Sequence, residues 1–294
     1  MSGDFEGVIV VPTDFGEQSV IALRQSYNLT KLTRSSLYLL YVIDEDFLNP
    51  LQGLMSGKND YEDHLRAGIQ KKLDDLADSV RKEAGIKVQT GIRTGKIYHE
   101  IVEAAREVKA SLILMGTMGA VGIKKKILGS NASRVVREAE CPVITIKGTQ
   151  HRVGCRHIVL PLDLTKETKE KVDKAIELAT LFGSIVHIVS IVESDDEYIM
   201  NKLTRQMNQV QEFVESANIK CTTEFVTGSD VAEEVISVAR RVEADLIMIM
   251  TQQEVGFTDL FISSSAQEII NQSEIPVLSI RPMPKKDTTV FMIS

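Results

Sequence analysis

Apolar residues along this 294-residue chain gather into short runs separated by amphipathic stretches, and that pattern predicts its elements. Runs rich in Val, Ile and Leu place strands near residues 7–11, 36–43, 86–92, 111–116 and 142–146. The runs are nearly continuous, as expected of strands covered on both faces. Helices are expected between them, near 17–32, 60–84, 96–108 and 131–139. Within the second of these, Leu65, Ile69, Leu73, Leu76 and Val80 recur at three- and four-residue spacing and form one apolar stripe. Gly85 suits the stop that follows. Strand and helix in alternation predict an α/β fold with a parallel sheet and right-handed crossovers.

The pattern occurs twice. Val8 to Ser19 reads VIVVPTDFGEQS, and His157 to Thr168 reads HIVLPLDLTKET. Asp14 and Asp163 end the two apolar runs at an offset of 149, which also carries LYLLYVID, ending at Asp44, onto VHIVSIVE, ending at Glu193. Further along, ASLILM from Ala110 and ECPVITIK from Glu140 reappear as ADLIMI from Ala244 and EIPVLSIR from Glu274, at an offset of 134. The offset shrinks because the first copy carries a longer insertion around residues 45–63. Four segments matching in the same order indicate a duplication. Two domains are expected, 1–150 and 151–294, joined near residues 148–156.

The segment that carries chemistry is Met115 to Ser133, MGTMGAVGIKKKILGSNAS. A strand runs directly into Gly116; Gly119 follows, then Gly129 and Ser130, and a helix begins at Ser130 or Asn131. Glycines let backbone N–H groups approach phosphate oxygens. The helix start turns unpaired N–H groups and its positive dipole end toward the same place. In an open parallel sheet, ligands sit beyond the carboxyl ends of the strands, where strand order reverses. Asp14 ends the first strand and Gly116 the fourth, so if those strands are neighbours both face one crevice. Asp14 would then accept hydrogen bonds from a ribose hydroxyl or a base edge. It could equally cap the helix starting near Gly16, and Ser130 could be a helix N-cap. No GxxxxGK[ST] loop is present, and GTMGAVG is not GxGxxG.

The spacing G-x2-G-x9-G-S, from Gly116 to Ser130, resembles the ATP-binding motif of the universal stress protein family. PTDF with Asp14, LLYVID with Val42 and ECPVITIK with Pro142 resemble the family's other landmarks. The resemblance covers the chain as two tandem copies and is specific in the first. It implies an open five-stranded parallel sheet of order 3-2-1-4-5 in each copy, with helices on both faces. It implies that Asp14 and Val42 line an adenosine pocket and that Gly116, Gly119, Gly129 and Ser130 hold ribose and phosphates. Met115 and Asn131, at the edges of the motif, complete the candidate set. One departure is Met118, where the family often carries His or Arg. The halves are expected to pack as a pseudo-dimer through PVITI (142–146) and PVLSI (276–280), and whether whole chains form a homodimer is left open. In the second copy, Met250, Gln253, Ser263 and Ser264 stand where the first has Gly116, Gly119, Gly129 and Ser130. With all three glycines gone, Met250 is expected to narrow the site. SSSA (263–266) keeps the means to cap a helix.

Charge sharpens this picture. Residues 1–150 carry 20 Lys/Arg and 19 Asp/Glu; residues 151–294 carry 14 and 22. The first half is the less repulsive host for an anion. A net charge of −7 and the absence of Trp argue against a nucleic-acid partner. Three irregularly spaced cysteines, Cys141, Cys155 and Cys221, are no disulfide framework and fit a reducing, cytoplasmic setting. No apolar run is long enough to cross a bilayer, so no membrane partner is expected. The H-x3-C-x-H set of His151, Cys155 and His157 lacks a fourth ligand for a metal. The expectation is thus a regulatory or stress-response protein that binds ATP with Mg in its first half only, and is more a binding protein than an enzyme. The alternatives are a slow ATPase or phosphotransferase, and a scaffold or small-metabolite carrier without nucleotide.

Overall fold

A computed structural model of the protein describes residues 7–46, 58–117, 130–148, 154–162, 168–192, 197–251 and 263–281. In the first half, β1 (Val8–Pro12), α1 (Glu17–Thr33), β2 (Ser36–Asp44), α2 (Lys58–Ala84) and β3 (Val88–Gly95) come first. They are followed by α3 (Ile97–Glu107), β4 (Leu112–Gly116), α4 (Ser130–Glu138) and β5 (Val143–Ile146). The second half repeats them as β6 (His157–Leu162), α5 (Thr168–Phe182), β7 (Ile185–Val192), α6 (Glu197–Ser216) and β8 (Cys221–Thr227). It ends with α7 (Val231–Arg241), β9 (Leu246–Met250), α8 (Ser264–Gln272) and β10 (Val277–Ile280).

All ten strands join one sheet in the order β3-β2-β1-β4-β5-β10-β9-β6-β7-β8. Each half therefore has the 3-2-1-4-5 order, with every pairing inside a half parallel. The halves meet where β5 and β10 pair antiparallel, Ile144 opposite Leu278. Those two residues are repeat mates at the 134-residue offset. So are Ser133 and Gln267, whose side chains are 2.9 Å apart across the α4–α8 contact. Mates that touch each other lie on a two-fold axis, so the duplicated chain folds back on itself as a pseudo-dimer.

One apolar layer lies between the sheet and helices α1, α2, α5 and α6, the other between the sheet and α3, α4, α7 and α8. The α2 stripe behaves as its spacing predicts. Ile69, Leu73 and Val80 are buried, and Leu65 and Leu76 pack at the margin. Gly85 then takes φ +67 and donates its N–H to the Arg81 carbonyl at 3.0 Å, the left-handed stop that glycine accepts without strain.

An ion pair ties the edge strand to a helix in each half. Arg93 on β3 pairs with Glu107 at the end of α3, while Glu224 on β8 pairs at 2.6 Å with Arg241, the repeat mate of Glu107. Each half thus ties its edge strand to the same helix with the polarity reversed.

Candidate functional site

β1 pairs with β2 on one side and β4 on the other, so the chain reverses direction across the sheet between β1 and β4. Beyond their carboxyl ends lies a cleft of about 180 Å³. Its walls include Asp14, Val42, Met115, Gly116 and Asn131, which brings five of the eight sequence-predicted residues together. Ser130 opens α4 and is exposed, outside this lining. Gly119 and Gly129 lie outside the described residues, as do Met118 and the lysines at 124–126. The volume is below the roughly 300–1,000 Å³ of typical small-molecule sites. The described walls therefore have room for only part of a larger ligand.

Asp14 is exposed at the rim and is the one charged residue in the described lining. Its Oδ1 accepts hydrogen bonds from the Gly16 N–H and the Ser19 hydroxyl, both at 2.8 Å. It thus braces the turn leading into α1 but does not cap the helix as the sequence allowed, because Gly16 is the N-cap and α1 receives no side-chain capping bond. The turn is strained: Phe15 has φ +60, uncommon for a bulky side chain and frequent at binding sites. Phe15 is held there by stacking on Tyr41, with ring centroids 5.1 Å apart, and by Lys72, whose Nζ lies 5.6 Å from its ring. Burial, and then the negative charge of Asp14, pushes the Tyr41 phenol above its ordinary pKa. These partners fix the Asp14 loop, and composition gave no sign of them.

α4 turns its N-terminus to the cleft, where Asn131 and Ala132 form a wall. Its first turn carries no acidic residue to oppose an anion. Arg134 stacks over Tyr98 of α3 at 4.6 Å and ties the two helices together. Ile97 and Ile101 of α3, with Leu40 and Val42 of β2, make the apolar side suited to a base.

Gly116 has a second reason to be glycine. A Cβ there would meet the backbone of Gln18 at 2.9 Å, so α1 packs where a side chain would be. Thr117, which the sequence reading passed over, also lines the cleft. It is 3% exposed, its N–H is bonded to the Ile146 carbonyl at 3.0 Å, and its hydroxyl has no hydrogen-bond partner among the described residues. A buried hydroxyl left unpaired costs about 1–3 kcal/mol. An orphaned polar atom in the wall, beside an unopposed helix N-terminus, fits a ligand with polar, anionic atoms.

In the second half, Ser263 caps α8 by accepting the Ala266 N–H at 3.2 Å, as the SSSA segment suggested. Met250 does not sit as expected. It is buried in the apolar layer with Leu162, Val172 and Ile280, on the α5/α6 side, instead of narrowing a crevice. Gln253 and Asp163 lie outside the described residues. So does His151, while Cys155 is buried in the core and the His157 ring bonds to His187 at 2.9 Å. Among the described residues no three metal-binding side chains converge, and no helix is long and apolar enough to cross a membrane.

Comparison with known proteins agrees with this architecture. The model of the universal stress protein family matches residues 7–147 and 154–281. A universal stress protein of Methanocaldococcus jannaschii is 35% identical over 142 residues, 47% of this chain and 81% of that protein. Another, of Mycolicibacterium smegmatis, is 20% identical over 293 residues, 93% of this chain and 97% of its own. The crystal structure of a universal stress protein from Archaeoglobus fulgidus superposes with a TM-score of 0.75 at 20% identity, covering 94% of this chain and 98% of that one. Both repeats are matched nearly end to end, and the protein belongs to the universal stress protein family.

Proposed function

We propose that the protein is a regulatory nucleotide-binding protein that takes ATP, with Mg, in its first half alone. The observation that carries this reading is the cleft at the β1–β4 reversal. It joins an apolar side, a carboxylate rim and the N-terminus of α4. Asp14 would accept from the ribose, Val42 and Met115 would flank the base, and Gly116, Gly119, Gly129, Ser130 and Asn131 would hold the phosphate end. The second half has Gln253 and Ser263 in place of Gly119 and Gly129 and a surplus of acid. Both features disfavour a nucleotide there.

The same reading treats 1–150 and 151–294 as the binding and the degenerate domain, in a cytoplasmic protein without a nucleic-acid or membrane partner. ATP acts as ligand and stabiliser. Phosphoryl transfer relies on positioned cationic groups to stabilise the transferring phosphate, and the described lining offers no cationic side chain.

A thermal-shift titration with Mg·ATP on the full chain tests this. Ligand at about 100 times its Kd stabilises the bound state by roughly 2.7 kcal/mol, which is several degrees for a domain of this size. The wild type should shift. Val42→Trp, which fills the apolar side, should not shift while its unliganded melt survives. No shift at millimolar ATP, with no nucleotide released on denaturing the purified protein, would overturn the reading and favour a scaffold or metabolite carrier. Steady release of phosphate, lost with Asp14→Ala, would favour the slow ATPase.

A further inference from the structure

The two halves hold the same residue at one position in opposite states. Thr117 and Thr251 are repeat mates at the 134-residue offset, and each follows the last residue of its strand, β4 or β9. Each donates its backbone N–H to the equivalent carbonyl on the next strand, Thr117 to Ile146 at 3.0 Å and Thr251 to Ile280 at 2.9 Å. Both are almost fully buried, at 3% and 1% exposure. Their hydroxyls differ. Thr251 Oγ1 donates to the Ile280 carbonyl at 3.3 Å. Thr117 Oγ1 has no partner among the described residues, and Thr117 lines the cleft.

We infer that the Thr117 hydroxyl is a ligand-binding group of the first half, and that it donates a hydrogen bond to a phosphate oxygen of the bound nucleotide. The inference rests on the nucleotide reading above and adds a residue and an atom to it. Phosphate is the matching chemistry because of where Thr117 stands. It follows Gly116 at the end of β4, in the same cleft wall as Asn131 and Ala132 at the N-terminus of α4. Donors gather on that side. The acceptor, Asp14, belongs to the β1 rim, where a ribose hydroxyl suits it. A donor left unsatisfied in the free protein strengthens the bound state without any bond being lost on binding. The hydroxyl is sealed from solvent as the cleft stands. A staggered rotation about χ1 is the movement by which it meets the ligand.

The second half shows what the position does when its only work is structural. There the hydroxyl turns to its own sheet, and Met250 fills the neighbouring core. Substitution should therefore act in opposite ways at the two sites. Val is nearly isosteric with Thr and lacks the hydroxyl; Ser keeps the hydroxyl and lacks the methyl.

The test measures Mg·ATP and adenosine affinities, adenosine by competition, and unliganded melting, on the full chain carrying Thr117→Val, Thr117→Ser or Thr251→Val. Thr117→Val should weaken ATP by tenfold or more, the scale of a hydrogen bond to a charged group. It should leave adenosine nearly unchanged and should not lower the unliganded melting temperature. Thr117→Ser should keep ATP affinity within a few-fold. Thr251→Val should lower the melting temperature and leave ATP affinity alone. The inference is overturned if Thr117→Val binds ATP within twofold of wild type, if it loses ATP and adenosine equally, or if Thr117→Ser fails as badly. Wild type that binds neither ligand would overturn the nucleotide reading and this inference with it. Normal ATP binding by both wild type and Thr117→Val would refute only the role of Thr117.

Discussion

Replacing Gly116 by Ala separates two reasons for a glycine at the start of the glycine-rich motif. If the position served only a ligand, the unliganded protein would tolerate a methyl group. The structure says otherwise, because the added Cβ would lie 2.9 Å from both the carbonyl carbon and the oxygen of Gln18 and 3.0 Å from its Cβ. Backbone cannot yield as a side chain tip can, so the first turn of α1 must move. Overpacking of this kind costs about 1–3 kcal/mol. Against it stands the gain from a less flexible unfolded chain, about 0.4–1 kcal/mol where the backbone suits Ala. Gly116 is not among the described glycines with positive φ, so that gain applies. The net is a loss of roughly 0.5–2 kcal/mol, or about 1–8 °C at roughly 2–4 °C per kcal/mol. Urea and thermal unfolding of the ligand-free chain measure it. Gly116→Ala as stable as wild type, or more stable, would refute the packing argument and return the residue to the ligand alone. The same shift displaces Ser19, which lines the cleft and holds Asp14. Lost ATP binding in this variant would therefore report a moved wall, not a blocked phosphate.

Other consequences are as direct. Asp14→Ala removes the acceptor for the Gly16 N–H and the Ser19 hydroxyl. It should cost about 0.5–1.5 kcal/mol, the net worth of an ordinary hydrogen bond, read by urea unfolding without ligand, and should weaken ATP binding in addition. His187 is held below the ordinary imidazole value by burial first, then by His157 and Arg241, with Glu224 opposing. The folded state resists a proton that the unfolded chain accepts below about pH 6.5. Its contribution is complete above that pH and drains away as pH falls toward the depressed folded value. Urea midpoints should drop over that window, and His187→Gln should flatten the drop. Burial raises the Cys141 thiol to a pKa of about 12. Iodoacetamide near pH 8 should leave Cys141 unmodified until the chain is unfolded, because the thiolate is the reactive form. Leu278→Ala, at the pseudo-two-fold and fully buried, should cost about 2–5 kcal/mol in unfolding experiments.

Much of the fold was legible because its signals are local. Continuous apolar runs marked strands buried on both faces, and the offset identified Ile144 and Leu278 as repeat mates, while their pairing was expected only from the family resemblance. The cleft was legible as a place, since Asp14 and Gly116 end neighbouring strands. Its details were legible only in part, because they depend on which way a side chain turns. Strand alternation held one such clue. Leu112 and Leu114 lie in the α1/α2 layer, while Ile113 and Met115 lie in the α3/α4 layer. Counting by two sends position 116 toward α1 and Met115 toward the cleft. By the same count Met250 follows Leu246 and Met248 into the α5/α6 layer, where the structure has it.

Thr117 is a different case. It has the same residue type and the same backbone bond as Thr251, so no pattern in the chain could tell them apart. The difference between them is whether a carbonyl is within reach of one hydroxyl, and packing of whole helices sets that. Duplication makes the contrast interpretable. With sequence and strand geometry matched between the halves, what remains at these two threonines is the surroundings. Those surroundings differ where Gly116 lets α1 close on the sheet and Met250 fills the core instead. The glycine that brings α1 against the cleft and the threonine left with an unused donor are therefore adjacent in the chain for one reason. On the proposed reading, the first half keeps its β4 terminus open to a ligand, while the second uses the same position for structure.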